Sequence, residues 1–462
     1  MIQLPSSLTP IISILLEQDL RPVVVGGFVR DTLLGLPSKD IDIEVFGVEN
    51  LMALEGMLLP FGKVNTVGKS FGVVKLQLED LEVDFSIPRT EKKIAKGHKG
   101  FDVTLDSSLT FKAAASRRDF TINAMGYDLK AETLLDPFKG QKDLKERRLT
   151  FVDADTFIED PLRLYRAVQF VARFRLIPSA ELIVLAQKMV KEQMLEELPK
   201  ERVFEEIKKL LLKSRQPSQG FEVLDTFGML SYFPELLALQ GVPQEPSYHP
   251  EGDVWIHTLM VVDEMSRLHS DNMEQNLYLS LAALCHDLGK SNTTKKVDGR
   301  IRAIGHENTG VPLTEQFLKH LSDEKALIEK IIPLVKHHLK PLQFYKQGAK
   351  SAAIRRLANQ VNIRELVLLA QADYLGRTTS EAKAGVFEAG EWLLQRAAEL
   401  SVVEKPMPAI LQGRDLINVG LKPSKVFKDI LDKAYEAQMD ELFSTHEEAK
   451  KWLKQLLEKG KD

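Results

Sequence analysis

The segment 23–45, VVVGGFVRDTLLGLPSKDIDIEV, constrains the fold more than any other part of this 462-residue chain. Its apolar run predicts a buried strand, its two glycines a turn, FVRDTLLG a short helix and IDIEV a second strand. Residues two apart on a strand share a face, so Asp40 and Asp42 are expected to point the same way. The segment therefore predicts an α/β unit with paired carboxylates beside a glycine turn.

This arrangement suits a metal ion and a phosphate. Two adjacent carboxylates repel each other unless a divalent cation lies between them, and Mg²⁺ prefers oxygen ligands that it shares with substrate phosphates. Gly26 and Gly27 would let the backbone approach a phosphate closely, and Arg30 would add positive charge there. Glu82 and Asp84 share a face of a later strand, and we expect Asp84 to be the third acid because the chain after it leads into a basic loop.

The pattern changes along the chain. Beyond about residue 155, apolar residues recur at helical spacing almost throughout. The proline-containing segment 241–253 is the clearest linker, and 400–415 is a second break. We predict an α+β protein in four parts: an α/β head (1–150), a helical neck and body (151–245), an all-α His-bearing domain (246–400) and a small helical tail (401–462).

Composition narrows the class of protein. The net charge of −4 excludes a uniformly basic nucleic-acid coat but allows a local basic face. The single cysteine, Cys285, excludes an intramolecular disulfide and favours a reducing compartment. No apolar stretch approaches the ~18 residues that a membrane span needs. We expect a cytoplasmic protein with no membrane partner.

Several motifs of the first half follow one another in a known order: GGFVRDTLLGLPSKDID (26–42), SRRDFTINAM (116–125), DPFKGQKDLKERRL (136–149), EDPLRLYRAVQFVARF (159–174) and LPKERVFEEI (198–207). This series resembles the class II nucleotidyltransferases of the polymerase-β superfamily, which include tRNA CCA-adding enzymes and bacterial poly(A) polymerases. The resemblance implies a polymerase-β-like head. In it, Asp40 and Asp42 hold Mg²⁺, and the nucleotide is contacted by Gly27, Arg30, Arg118 and Asp119.

The EDPLR helix carries residues suited to choosing a base. Asp160 and Arg163 are three apart, so they lie on one face of the helix. Cytosine and adenine each present an amino donor beside a ring-nitrogen acceptor, which a carboxylate and a guanidinium can match. The resemblance implies this role for Asp160 and Arg163, with Arg166 one turn further on. Gln169 stands where relatives commonly carry an arginine, and we leave it out of the site.

Two further segments bear on the head. The basic run 89–118 has little periodicity, so it is interpreted as a mobile loop beside the site or as a plain connector. The stretch VGKSFGVVKL (67–76) resembles the tRNA enzymes more than the poly(A) polymerases, which usually carry a more basic sequence there.

The second half carries candidate metal ligands at His257, His286, Asp287 and Asp373, with His306, His337 and His338 falling between. Imidazole and carboxylate groups suit divalent metals, which can activate a bound water. The order His, His-Asp, Asp resembles the HD phosphohydrolase superfamily. In relatives with the same head, this domain hydrolyses phosphate esters, including 2′,3′-cyclic phosphates. The metal here is a divalent ion of unassigned identity, and Cys285 is interpreted as buried packing.

The sequence thus predicts a template-independent enzyme that adds CCA to tRNA from CTP and ATP, with a second, phosphohydrolase activity. Partial addition (CC only or A only) and poly(A) synthesis are alternatives, as is an HD phosphohydrolase whose head only binds RNA. The tail resembles that of longer bacterial relatives, where it would help to hold RNA; a solvated helical cap is an equal alternative. Monomer and dimer both stay open.

Overall fold

A computed structural model of the chain describes residues 2–65, 72–79, 81–93 and 101–459, with the side chains of 91–93, 101–103 and 459 left undescribed. The chain divides into two compact units, the first ending at Tyr232 and the second starting at Phe233. Within the described ranges, no helix combines the length and the hydropathy that crossing a bilayer requires.

The strands of the first unit are β1 (Arg21–Val25), β2 (Ile41–Phe46), β3 (Lys63–Asn65), β4 (Val73–Gln77), β5 (Glu82–Ser86), β6 (Arg89–Lys93), β7 (Phe101–Leu105), β8 (Gly126–Asp128), β9 (Thr133–Leu135), β10 (Arg148–Leu149) and β11 (Ile177–Pro178). Seven of them form one sheet in the order β3-β4-β5-β2-β1-β8-β9. Within it β2 and β5 run parallel, and the other pairs are antiparallel.

The helices of the first unit are α1 (Thr9–Glu17), α2 (Gly27–Leu33), α3 (Leu51–Leu58), α4 (Phe111–Ala115), α5 (Gly140–Lys145), α6 (Ala154–Ile158), α7 (Leu162–Phe174), α8 (Ala180–Lys191), α9 (Lys200–Lys213) and α10 (Ser218–Thr226). Helix α7 packs against α9 and α10, which gives the helical half of this unit its core. Pro161 caps α7, where its fixed φ suits a helix start.

The second unit contains α11 (Pro234–Leu237), α12 (Val254–Arg267), α13 (Met273–Cys285), α14 (Lys290–Thr293), β12 (Thr294–Val297), β13 (Arg300–Ala303), α15 (His306–Leu321), α16 (Lys325–His337), α17 (Lys340–Gln347), α18 (Ser351–Ala358), α19 (Ile363–Leu375), α20 (Ser380–Lys383), α21 (Glu388–Glu399), α22 (Gly413–Asn418), α23 (Val426–Met439) and α24 (His446–Lys459). Helices α12, α13, α16 and α19 pack together as a bundle. The last three helices, expected as a tail, enclose a small core that includes Leu416, Phe443 and Leu453.

The strand, turn, helix and strand expected over 23–45 are confirmed as β1, the Gly26 turn, α2 and β2. Gly26 has a φ of 73°, which a residue with a side chain rarely adopts, and an added Cβ would lie 2.9 Å from Arg118 Nη1. In the antiparallel pairing Val25 lies opposite Asp42. The glycine turn is therefore held beside the aspartates.

The structure corrects the interpretation of the basic run 89–118. Its beginning and middle are strands β6 and β7, which pair from Arg89↔Leu105 to Lys93↔Phe101, so the loop interpretation is wrong for them. The alternation of Phe101, Val103 and Leu105 was the strand signal, and the surrounding charges masked it. Residues 94–100 of this run, and 67–71 of the stretch 67–76, lie outside the described residues.

The segment 241–253 is irregular, as expected of a linker, but it belongs to the second unit and is tied into it. Gln244 donates to the main chain of Asp253 at 3.2 Å, and Asp253 caps α12 by accepting from Ile256 N at 2.9 Å. The side chain of Glu251 is buried against His257. The prolines thus mark a rigid connection rather than a solvated spacer.

Gly289 is expected to tolerate no side chain. A Cβ there would lie 2.0 Å from His306 O and 2.6 Å from Gly310 N, both backbone atoms that cannot yield locally. Gly289→Ala should therefore lower the free energy of unfolding of the second unit by about 1–3 kcal/mol. Urea unfolding followed by tryptophan fluorescence measures this unit alone, because it carries all three tryptophans, Trp255, Trp392 and Trp452.

The matched control is Gly413→Ala, since a Cβ at Gly413 meets nothing within 4 Å. Equal urea midpoints for the two variants would show that the close approach of α15 to Gly289 is wrong.

Candidate active sites

The predicted metal acids of the head come together at the centre of the sheet. Asp42 and Asp84 are partners across the parallel β2–β5 pair, and Asp40 directly precedes β2. All three line a cleft of about 370 Å³. The pKa of Asp42 is raised, first by desolvation of its carboxylate, although the residue keeps exposed surface, and then by the charges of Asp84, Asp40 and Glu44, while Arg118 opposes the rise. Such crowding of carboxylates favours a bound cation.

Glu44 is a site residue that the sequence interpretation missed. It shares the face of Asp42, two residues further along β2, and is fully buried. Arg117 and Arg118 donate to its Oε1 at 2.8 and 3.3 Å. Burial pushes the pKa of Glu44 up, but these two arginines outweigh it and the pKa falls below its usual value. The alternation Asp-x-Asp-x-Glu was the signal that could have found it.

Beside the aspartates lies a second cleft, of about 380 Å³, that Asp42 also lines. Its lining includes every nucleotide-contacting residue proposed from the sequence: Gly27, Arg30, Arg118, Asp119, Asp160, Arg163 and Arg166. The sequence interpretation missed other members of the lining: Arg89, Arg117, Asn123, Leu162 and Arg202. This concentration of guanidinium groups suits a polyanion such as a triphosphate.

Buried bonds hold the arginines of this cleft in place. Arg30 donates to Asp31 and to Asn123 Oδ1 at 2.6 Å, and the rings of Phe170 and Phe174 flank its guanidinium. Helix α7 therefore positions the Arg30 guanidinium of α2 at the cleft.

The carboxylate of Asp119 accepts hydrogen bonds from other groups of the protein. It accepts from Asn123 Nδ2 at 2.9 Å and from Arg166 Nε at 2.7 Å. Burial raises its pKa, but Arg166, Asn123 and Arg163 together lower it below the usual value. Asp119 thus orients Arg166 as well as lining the cleft.

Asp160 and Arg163 both face the cleft, but each is held by other groups. Asp160 Oδ2 accepts from Arg202 Nη2 at 3.1 Å. Arg163 donates to the carbonyls of Thr156 and Arg117 at 2.8 and 2.7 Å. These bonds fix the two side chains in place, which is the condition for a rigid hydrogen-bonding template.

Gln169 lies outside the lining of this cleft. It is buried, and its amide oxygen has no hydrogen-bond partner within the described residues. Leaving it out of the site agrees with this position.

The candidate ligands of the second unit also converge. His257 Nε2 lies 3.1 Å from Asp373 Oδ1 and 3.9 Å from Asp287 Oδ2. His286 Nε2 lies 3.2 Å from the same oxygen of Asp287. Helix α13 ends at Cys285, so His286 and Asp287 turn toward one point instead of diverging. Cys285 itself is fully buried, which raises the pKa of its thiol.

His306 and His338 extend this cluster and were not assigned from the sequence. His306 Nε2 lies 3.2 Å from Asp287 Oδ1 and 3.3 Å from His338 Nε2. The six side chains form two groups able to hold a metal, His257–His286–Asp373 and Asp287–His306–His338. The Oδ2 atom of Asp287 faces His257 and His286 of the first group, and its Oδ1 atom faces His306 of the second. Neither His306 nor His338 belongs to a sequence motif with a second ligand. Spacing alone therefore did not distinguish them from ordinary core histidines.

Main-chain contacts set the tautomers of these histidines. The Nδ1 atoms of His286, His306 and His338 lie 2.6–2.7 Å from the carbonyls of Ala283, Ala303 and Val335. A carbonyl only accepts, so each Nδ1 carries the proton and each Nε2 is left to bind a metal. His286 Nε2 and both oxygens of Asp287 are buried with no well-directed hydrogen bond in the described structure, which fits a cation among them.

The electrostatics differ among these histidines, since the charge of Asp287 raises the pKa of His286 against the effect of burial. Burial, helped by His306 and His286, lowers the pKa of His338 to about 3, so its imidazole is neutral. Burial would also lower the pKa of His306, but the hydrogen bond and charge of Asp287 raise it instead. A metal between these groups would take over the role of that proton.

Glu251 orients the cluster from outside. Its Oε1 lies 2.9 Å from His257 Nδ1 and 2.9 Å from His249 Nδ1, and its Oε2 accepts from Thr378 N at 3.1 Å. Arg377 in turn donates to Asp373 at 2.9 Å. Carboxylates that hold the far nitrogen of a ligating histidine fix its ring orientation and raise its basicity.

Taken together, fold and sites define a polymerase-β-type nucleotidyltransferase joined to an HD-type domain with a candidate metal centre. Family models agree: residues 23–150 match the Poly A polymerase head domain, 186–239 match the Probable RNA and SrmB- binding site of polymerase A, and 254–378 match the HD domain. The fold class expected from the sequence is confirmed.

Similar proteins identify the family. The chain is 36% identical to the Multifunctional CCA protein of Methylobacillus flagellatus over 79% of this chain and 86% of the relative. It is 35% identical to that of Cupriavidus metallidurans over 76% and 84%. The fold is similar to that of the Bacillus stearothermophilus CCA-adding enzyme in complex with CTP, with a TM-score of 0.70, 20% identity and 99% of each chain covered. The chain belongs to the multifunctional CCA protein family.

Replacing Glu251 tests the candidate metal centre without an activity assay. Glu251→Gln should weaken Co²⁺ binding about 10–100-fold, because the amide no longer draws the Nδ1 proton of His257. Calorimetric titration gives the affinity, and the visible absorption of Co²⁺ reports nitrogen ligation. The control is Glu264→Gln, on the helix α12 that carries His257 but paired with Arg267. Equal affinities in the two variants would contradict the role of Glu251.

Proposed function

We propose that this chain adds CCA to the 3′ end of tRNA, without a nucleic-acid template, from CTP and ATP with release of pyrophosphate. The observation that carries the proposal is the Asp42–Asp84 pair beside an arginine-lined cleft that also holds Asp160 and Arg163. The names of the relatives support it, as does fold similarity to the Thermotoga maritima CCA-adding enzyme complexed with tRNA_CCA (TM-score 0.59, 22% identity, 98% and 96% covered).

Asp40, Asp42 and Asp84 would hold Mg²⁺, and the raised pKa of Asp42 fits an incoming cation. When bound, the metal would activate the terminal hydroxyl and neutralise the leaving pyrophosphate. Around it, the backbone at Gly27 and the guanidinium of Arg30 would bind the triphosphate. Arg118 and the Asp119–Arg166 pair would orient the nucleotide.

The base would be chosen by Asp160 and Arg163. The carboxylate accepts from the amino group that cytosine and adenine share, and the guanidinium donates to the adjacent ring nitrogen. Guanine and uracil offer a carbonyl and an N–H there, so both contacts become repulsive. A site built on such bonds can reject the wrong substrate by about 10⁴–10⁵-fold. The ion pair with Arg202 holds the Asp160 carboxylate in place.

If Asp84 holds the metal, replacing Asp84 should lower kcat much more than replacing Glu82, the other acid of β5. Asp84→Asn and Asp42→Asn should each lower kcat for CMP addition about 10³-fold, equivalent to the several kcal/mol of charge stabilisation that a metal supplies. Glu82→Gln, two residues from Asp84 on the same face, should keep kcat within about threefold of wild type. The substrate is tRNA lacking its terminal CCA, with each nucleotide supplied in turn.

Full activity in Asp42→Asn would refute the metal role. Sequencing the products from the same reactions separates CCA addition from CC-only, A-only and poly(A) synthesis, because each gives a different end.

Base choice predicts a second set of variants. Arg163→Ala and Arg202→Ala should lower the ratio of kcat/KM for CTP over UTP about 10²-fold or more, since one removes a contact to the base and the other releases Asp160. Arg215→Ala, an exposed arginine of the same unit, serves as the control. Unchanged selectivity in both test variants, with rates measurable, would exclude the Asp160–Arg163 account.

A second activity is supported by the His–Asp cluster. We infer that His257, His286, Asp287 and Asp373, with His306 and His338, hold divalent metal and form a phosphohydrolase site. Such ions would supply a water acidified enough to attack a phosphate ester. The division into four parts and the cytoplasmic location stay predictions from the sequence, and monomer and dimer both stay open.

A further inference from the structure

Glu44 is a buried charge of the head that lies outside the lining of both the metal-acid cleft and the arginine-lined cleft. It follows Asp42 by two residues on β2 and shares the sheet face of that residue. Its side chain is only 1% exposed, so it meets neither substrate nor solvent. A buried ion pair often gives a protein no more stability than apolar side chains of the same volume. A role in stability alone therefore does not account for this charge.

Glu44 holds two arginines of the arginine-lined cleft. Arg117 Nη2 and Arg118 Nη2 lie 2.8 and 3.3 Å from Glu44 Oε1. The other carboxylate oxygen, Oε2, is buried and accepts no hydrogen bond from the described residues. Two adjacent guanidinium groups thus meet at one oxygen, and they would repel each other without its charge. Glu44 therefore fixes where both arginines lie.

Arg117 continues these contacts to the helix that carries the base-selecting residues. It lies in the turn after α4, where no helical ladder fixes the backbone. Its main-chain oxygen accepts from Arg163 Nη2 at 2.7 Å. Because a hydrogen bond between charged groups is stronger than one between neutral groups, the bond from Glu44 is a firm anchor for Arg117. That anchor places the carbonyl that orients Arg163.

We propose that Glu44 is a positioning residue for base choice: acting through Arg117, it holds Arg163 in the direction that meets the ring nitrogen of cytosine or adenine. Glu44 touches no substrate itself. The same carboxylate joins base choice to β2, the strand that carries Asp42. This role rests on the proposed CCA addition, and it adds a residue that determines specificity from outside the cleft.

The test variant is Glu44→Gln, which keeps the size of the side chain and the Oε1 acceptor but removes the charge. The ratio of kcat/KM for CTP over UTP, measured on tRNA lacking its terminal CCA, should fall about tenfold, since a misplacement of ~1 Å can cost about 10²-fold. The loss should lie in kcat/KM for CTP, because uracil carries an N–H where cytosine offers Arg163 an acceptor. An altered triphosphate contact of Arg118 affects both nucleotides alike and cancels in the ratio.

The matched control is Asp128→Asn. Asp128 and Glu44 both pair with Val23, so they lie in one row of the sheet. Asp128 is also buried and forms an ion pair with Arg21 at 2.7 Å, but neither partner belongs to the lining of the arginine-lined cleft. Loss of a buried carboxylate can lower the stability of both variants, whereas only Glu44→Gln should lose selectivity.

A path through Arg163 also predicts that the two changes are not independent. In an Arg163→Ala background, Glu44→Gln should leave the ratio unchanged, because the group that Glu44 positions is already absent. Arg117→Met breaks the same path and leaves Glu44 paired with Arg118, so no buried charge loses its last partner. This variant should lower the ratio by a similar factor, and it provides the test if Glu44→Gln does not fold.

The outcomes separate this role from the function on which it rests. If the wild type adds neither C nor A to tRNA, or if Arg163→Ala keeps the wild-type ratio, the proposed function or its account of base choice fails and this role falls with it. If Arg163→Ala lowers the ratio but Glu44→Gln and Arg117→Met do not, the positioning role alone is wrong. An equal loss from Glu44→Gln with and without Arg163 would show that Glu44 acts by another route, and would also overturn it.

Discussion

The head is organised around the repulsion between Asp42 and Asp84. The parallel β2–β5 pair places these carboxylates on one face. The buried Glu44 adds a third negative group, two residues beyond Asp42 on β2. Arg117 and Arg118 offset Glu44, whereas the raised pKa of Asp42 indicates that its carboxylate has room for further positive charge nearby. Under the proposed function, Mg²⁺ would meet that demand, and the arginines of the neighbouring cleft would bind the triphosphate.

Within this cleft, the strands and the helices are proposed to contact different parts of the nucleotide. Under the proposed function, the sheet would present the metal-binding acids and the Gly26 turn would present its backbone to the triphosphate, whereas Asp160 and Arg163, at the start of α7, would contact the base. Arg30 joins the two parts, because it lies on α2 and is flanked by aromatic rings of α7. The proposed contacts to the base and to the phosphates therefore use different side chains.

The candidate metal ligands of the second unit are positioned by helices rather than by a sheet. Its candidate ligands come from the ends and faces of several helices, and carbonyl contacts leave the Nε2 atoms of His286, His306 and His338 free to bind a metal. Here the sequence predicted four residues of the cluster but left His306 and His338 unassigned, because only the packing of α15 and α16 brings them to Asp287. The β6–β7 strands were likewise misread, since their charges hid a short alternation.

The sequence by itself determined the order of elements around the Gly26 turn, the shared face of the aspartates and the helical second half. These follow from periodicity and from backbone freedom, which are local properties. Only the tertiary structure decided that Asp84 stands opposite Asp42, that Arg202 holds Asp160, and that two histidines complete the cluster. Such contacts join residues far apart in the chain, and their formation depends on packing that no local spacing encodes.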